Sequence, residues 1–223
     1  MDTGSHLLFG VTLAGLAMAD PAVAAHPELQ HAVLAAALLG SHAPDFDAVM
    51  RLRGPSAYIR HHRGLTHSLP APLAWAPLLG FPAAWLFGAG EWSWTVVLWT
   101  LLAVCFHIVL DLFNAYGVQC LRPIRRKWLH LDALPLFDPY LFGGHAAAAL
   151  LLLSGYSYAV LACMLVYVLT ALYMAWRLTV NRVVLSKLTA HYSMDAACIT
   201  LLPSLLGTSW QYVADTGDEY ATG

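Results

Sequence analysis

The chain of 223 residues is 59% hydrophobic and 11% charged, with a formal net charge of −2. A charged fraction less than half the roughly 25% usual in soluble domains reads as a membrane protein. Binding a phosphate backbone needs clustered excess Lys and Arg, so no nucleic-acid partner is expected. Cys105, Cys120, Cys163 and Cys198 lie far apart with no CxxC pair, which argues against a disulfide framework or a Cys-type zinc site.

In chain order, five apolar stretches stand out, at residues 6–19, 29–43, 69–89, 93–113 and 146–176. The first runs on to an AVA sequence that imitates a signal cleavage site. Asp2 and His6 stand where a basic n-region belongs, so the segment is expected to stay in the mature fold. At about fourteen residues each, the first two stretches are short spans, re-entrant elements or buried helices. Only the last three reach the roughly 20 residues of a spanning helix. The third is expected to start at an N-cap, Thr66, with Pro70 in its first turn. The aromatic turn GAGEWSWT at 88–95 suits a membrane interface and folds the third and fourth stretches into an antiparallel hairpin. The fifth contains Ser154 and Gly155 and reads as one tilted helix or as a broken pair. In the tail, SWQYVADTGDEYATG alternates like a short strand pair with a turn at Gly217.

Positive charge is unevenly placed. Arg51, Arg53, Arg60 and Arg63 separate stretches two and three; Arg122, Arg125, Arg126 and Lys127 separate four and five; the links at 20–28 and 89–94 have none. By the positive-inside rule both basic loops face the cytoplasm, and Arg177, Arg182 and Lys187 prefer the same side. The expected architecture is an all-α, polytopic membrane helical bundle of about four to five spans, two of them short. Residues 1–186 form the membrane domain and 187–223 a short soluble tail.

Polar residues gather on that cytoplasmic side. His6 opens the first stretch, SHAPDFD (His42, Asp45, Asp47) closes the second, HHRGLTH (His61, His62, His67) precedes the third, and His107 and Asp111 sit near the end of the fourth. Four segments thus deliver imidazole and carboxylate to one membrane depth, the donor chemistry of a site for one or two borderline divalent ions, with zinc favoured. The i,i+4 spacing of His107 and Asp111 puts both on one helix face, which Asn114 continues, and an ionisable residue inside a span is a functional candidate because burying it is costly. Each group also has a bland reading. Asp111 could merely buttress His107, Asp45 and Asp47 could cap a turn after Pro44, and the loop histidines could sit at the interface. The coincidence of all four on one side favours the site. His42 and His61 read as bystanders, His26, His31, His130, His145 and His191 as surface or interface histidines, and Asp138 as a turn-former rather than a ligand. Arg63 cannot ligate metal, but its planar fork suits a phosphate or carboxylate beside one.

The motifs GSHAPDFD, HHRGLTHSL and HIVLDLFNAYGVQCLRP, after an N-terminal GSH, resemble the YdjM-type inner-membrane proteins over roughly residues 1 to 145. That resemblance implies a membrane-bound, metal-dependent hydrolase of the bacterial cytoplasmic membrane. It carries over to His6, Asp45, Asp47, His62, Arg63, His67, His107 and Asp111, and leaves His42 and His61 outside the pattern. The leading expectation is a multi-pass hydrolase acting on a phosphoester or lipid-like substrate. Asp45 or Asp47 would bridge metals or accept the proton of water, and Arg63 would offset developing charge. A metal or proton transporter is the second expectation, disfavoured because the polar residues crowd one side. A membrane scaffold with a structural metal is the third.

Overall fold

The computed structural model describes residues 1–205, 209–217 and 219–223; the side chains of residues 59–61, and with them the expectation for His61, lie outside the described residues. Helices α1 (Thr3–Ala17), α2 (Pro21–Ala25) and α3 (Pro27–Gly40) lead into a 3-10 segment, Ala43–Arg53, and a short α4 (Pro55–His61). A 3-10 turn at Leu65–His67 precedes α5 (Ala71–Leu86), α6 (Ser93–Leu112), α7 (Pro139–Leu153) and α8 (Ala159–Tyr192). Proline recurs in the first turn, at Pro21, Pro27, Pro55 and Pro139, where its missing N–H leaves no bond unmade. Asp2, Asp20 and Asp138 accept backbone N–H bonds as side-chain caps.

α1 packs against α3, α6, α7 and α8, while α5 and α6 form the expected hairpin with α3 across both. Between apolar helices in lipid, association comes from close backbone approach rather than from hydrophobic exclusion. A Cβ added at Gly80 of α5 would lie 2.8 Å from the Val97 Cα of α6. One added at Gly40 of α3 would lie 3.0 Å from the Thr100 carbonyl oxygen and 3.1 Å from the Ala103 Cβ.

Two helical segments, Gly90–Leu112 and Ala159–Tyr192, are long and apolar enough to cross a membrane, each with a mean hydropathy of 2.1. Thr3–Ala17, Ala71–Leu86 and Pro139–Leu153 are shorter apolar helices. The third stretch is therefore shorter than expected, because Pro70 occupies the N-cap and Thr66 lies upstream in the 3-10 turn instead of capping the helix. The fifth stretch is the broken pair: Gly155, at φ +69°, makes the turn between α7 and α8.

The all-α expectation is corrected by the tail. Strands β1 (Ile199–Pro203), β2 (Trp210–Asp215) and β3 (Tyr220–Thr222) form an antiparallel sheet in the order β1-β2-β3. Gly217, at φ +90°, lies in the link between β2 and β3, where its N–H donates to Asp215. Ile199, Leu201 and Ala214 are buried against Val184, Leu185 and Leu188, so the sheet sits on the last turns of α8. The expected boundary at 186 falls inside that helix.

Gly80→Val should force α5 and α6 apart and destabilise the bundle by about 1–3 kcal/mol, the usual effect of overpacking. Gly143→Ala, with open space at its Cβ, should be neutral. Thermal unfolding in detergent checks this, and equal midpoints for the two variants would contradict the packing described.

Candidate metal centre

The end of α6 carries His107 and Asp111 one turn apart, both buried. The Gly40 contact brings the end of α3 against α6, so that the Ser41 carbonyl reaches His107 Nδ1 at 2.7 Å. Just beyond, the 3-10 segment supplies Asp45, and the turn before α5 supplies His67. One oxygen or nitrogen from each of Asp45, His67, His107 and Asp111 falls within 4.8 Å of all the others.

Hydrogen-bond bookkeeping shows what kind of cluster this is. The Ser41 carbonyl only accepts, so His107 Nδ1 carries a proton, and in the neutral ring Nε2 is a lone pair. The Thr66 hydroxyl gives its one hydrogen to Asp47 Oδ2, 2.7 Å away, and therefore accepts from His67 Nδ1 at 3.1 Å. His67 Nε2 is then a lone pair as well. Burial pushes the His67 imidazole below its ordinary pKa, which favours this neutral form. The two Nε2 atoms face each other at 3.3 Å. Asp111 Oδ2 stands 3.3 Å from His67 Nε2 and 3.5 Å from His107 Nε2. Asp45 Oδ1 completes the group at 3.8 and 3.7 Å from the same nitrogens. Asp45 Oδ1 and Asp111 Oδ2 are buried with no hydrogen-bond partner among the described residues.

With both rings neutral, four electron-pair donors converge, an arrangement that a cation at its centre would stabilise. A tetrahedral ion with bonds of about 2.0–2.2 Å separates its donors by roughly 3.3–3.6 Å, so the spacing fits.

The other expected site residues surround these four. Asp47 has both oxygens engaged: Oδ1 with His62 Nδ1 at 2.6 Å, Oδ2 with the Arg63 N–H at 2.8 Å and with Thr66. A contact of 2.6 Å is a hydrogen bond rather than a donor edge around an ion, although Asp45, Asp47 and His62 also cluster. His6 stacks flat on His107, with ring centroids 3.8 Å apart, and places Nε2 3.5 Å from Asp111 Oδ1. That oxygen also meets the Met1 amino group and, at 3.0 Å, Arg63 Nη2. Oδ1 is thus already partnered, whereas Oδ2 faces the two imidazoles.

Arg63 is buried at φ +59°, a costly conformation for a non-glycine residue, held because Asp47 accepts its N–H and Gln119 N–H donates to its carbonyl. Its Nε and Nη1 have no partner among the described residues. It lines a cavity of about 600 Å³ together with Tyr58, His62, Tyr116, Trp128 and Leu136.

Elsewhere the histidines and acids divide. Asp138 caps α7 and accepts from the Tyr173 hydroxyl at 2.8 Å, as a turn-former should. His145, expected near the surface, is instead fully buried between Thr12, 2.7 Å away, and Thr170, 2.9 Å away. Asn114 leaves the His107 face because α6 ends before it; it bridges the Leu134 and Pro135 carbonyls to the Met1 amino group. Sequence reasoning missed Thr66 and the Ser41 carbonyl, whose roles arise only from partners distant in the chain, and the aromatic cavity wall.

Thr66→Val removes the acceptor that fixes the His67 tautomer. Metal affinity should fall about 10- to 100-fold, as for loss of other outer-shell partners, with the metal-free protein little changed in stability. Competition with a chromophoric chelator measures this; unaltered affinity would rule out the tautomer lock.

The comparisons with known proteins follow the same line. The family model described as YdjM inner membrane protein matches residues 1–184. The uncharacterized protein YfhP of Bacillus subtilis (strain 168) is 38% identical over 224 residues, covering 100% of this chain and 68% of that protein. No solved structure matches. The family's description and the two long apolar helices associate the chain with a membrane. The matched model spans every residue of the metal cluster, and the chain belongs to the YdjM inner membrane protein family.

Proposed function

We propose that the protein is a metal-dependent phosphoester hydrolase embedded in the bacterial cytoplasmic membrane. The observation that carries the reading is the set of two imidazoles and two carboxylates beside a buried arginine that lines a cavity and leaves Nε and Nη1 unpartnered among the described residues. Zinc is the ion that mixed nitrogen and oxygen donors at tetrahedral spacing favour. Held there by three of these donors, or by four with a position left for water, it would lower the pKa of that water toward neutrality and offset charge on the attacked group.

The chain's own residues account for the rest. Hydrolysis adds one water across the ester: the water oxygen bonds to phosphorus, the bond from phosphorus to the alcohol oxygen breaks, and that oxygen takes up a proton. Arg63, which lines the cavity, would turn its guanidinium to the phosphoryl oxygens. His62, oriented by Asp47 as a base is oriented in a catalytic dyad, leaves Nε2 to exchange a proton with the water or the departing alcohol. Asp47 thereby becomes a positioning residue, and Asp45 is the carboxylate left to ligate.

A purely structural metal explains less. It accounts for the four donors but not for a buried arginine with unpaired N–H groups on a cavity. Transport is disfavoured by the deeper polar residues, because Thr12, His145, Thr170 and Tyr167 bond to one another or to backbone instead of lining a hydrated path.

The same reading gives a topology. All 11 Lys and Arg lie in segments at the metal end of the bundle, and the links 18–26, 87–92 and 154–158 have none. With α1, α3, α5, α6, α7 and α8 crossing, both ends of the membrane domain lie in the cytoplasm. The shorter helices measure only about 21–24 Å at 1.5 Å per residue, against a hydrocarbon core of about 30 Å, so the metal end lies at headgroup depth. Single cysteines at Glu91 and Tyr156 should label from outside, and those at Ala57 and Arg125 only after permeabilisation; the reverse pattern would invert the proposed orientation.

For the chemistry, His67→Ala, His107→Ala and Asp111→Ala should each lose metal while staying in the membrane, whereas His191→Ala keeps it. Arg63→Ala should retain metal, since Asp111 loses a competing cation, but lose roughly 10²- to 10³-fold in turnover. Arg63→Lys should recover little. Elemental analysis and phosphate release from a phosphoester panel measure both, and wild-type turnover in metallated Arg63→Ala would remove Arg63 from the mechanism.

A further inference from the structure

The cavity beside the metal donors has two chemistries. Its polar part is His62 and Arg63, the latter joined to the donor set through Asp111. The rest is Tyr58, Tyr116, Trp128 and Leu136, from α4 and from the 113–138 loop between α6 and α7. Tyr116 is 69% exposed, and Trp128 and Leu136 are also open on one side. Nearby parts of the same loops turn further apolar side chains outward, with Leu65 at 70% and Ile124 at 74% exposure. In water such a surface is a liability, but at the depth where short helices place this end of the bundle it meets lipid.

The volume of about 600 Å³ is that of a ligand site, and the polar contacts stand at one end of an apolar wall. An anion alone would use Arg63 and leave the aromatic wall unemployed; a purely apolar ligand would bury a guanidinium with unpaired donors. We propose that the substrate is an amphiphilic phosphoester taken from the bilayer. Its phosphate lies against Arg63 and the metal donors, and its hydrocarbon chain runs along Tyr116, Trp128 and Leu136 toward lipid. Tyr116 and Trp128 then set the preference for chain length. This assignment rests on the hydrolase reading.

The test uses the metal-loaded full chain in lipid nanodiscs with ethyl, butyl, octyl and dodecyl phosphate as substrates. The matching alkylphosphonates, whose phosphorus–carbon bond is not hydrolysed, serve as binding probes, with empty discs correcting for partition. Affinity and kcat/KM should rise with chain length by up to roughly fourfold per buried methylene. In Trp128→Ala the ratio of dodecyl to ethyl should fall by about tenfold or more. Tyr116→Ala, at a largely exposed position, should show the same fall and guards against misfolding of the first variant. Turnover and binding independent of chain length would overturn the amphiphile and leave the hydrolase standing. Chain-dependent phosphonate binding that both variants lose, with no phosphate released from any ester, would support the amphiphile site and overturn the hydrolase reading instead.

Discussion

The structure turns on a cluster of atoms that can only accept. Two imidazole nitrogens and two carboxylate oxygens, with edges of 3.3 to 3.8 Å in the pairs that involve a nitrogen, are brought together in a buried place that, with both rings neutral, holds no hydrogen to share. Water would not relieve this at such spacing, and the opposite ring nitrogens are already engaged by the Ser41 carbonyl and the Thr66 hydroxyl. A cation resolves it at once. Much of the surrounding architecture can be understood as what holds four like-minded donors in place.

Holding them begins with helix packing. Because Gly40 lets α3 touch the α6 backbone, the chain leaving α3 passes His107 closely enough for the Ser41 carbonyl to fix its ring. The stacked ring of His6 closes the opposite side, delivered by the first turns of α1. These contacts involve small residues and backbone atoms, which explains how an apolar bundle with so few charges can position a polar site: the helices meet at distances that larger side chains would forbid.

The sequence made the clustered imidazoles and carboxylates legible and left their division of labour obscure. His107 and Asp111 stand out by i,i+4 spacing in an apolar run, and the PDFD and HHRGLTH motifs by their composition, because those signals are local. Asp45 and Asp47 are indistinguishable two residues apart. They separate only in three dimensions, where Asp47 meets His62, Arg63 and Thr66 and Asp45 retains an unpartnered oxygen. The hairpin and the tail's turn at Gly217 followed from turn chemistry. The length of α5 did not, since Thr66 has the chemistry of an N-cap but lies in the 3-10 turn while Pro70 takes that position, and the burial of His145 depends on Thr12 and Thr170 of other helices.

Asp47 and Asp111 link the metal cluster to the cavity, and they do so differently. Asp47 is a mechanical hub: one oxygen orients His62, the other holds the strained Arg63 backbone and, through Thr66, the tautomer of His67. Asp111 is an electrostatic one, turning Oδ2 toward the two imidazole nitrogens and Oδ1 toward Arg63, His6 and the Met1 amino group. A charge arriving in the cavity is therefore felt at the donor set through a single carboxylate, over two contacts of ordinary length. In a medium of low dielectric such a coupling is strong. It gives Arg63 a reason to be buried against Asp111 with Nε and Nη1 unpartnered among the described residues, which a topology-setting arginine, content in the aqueous loop, does not have.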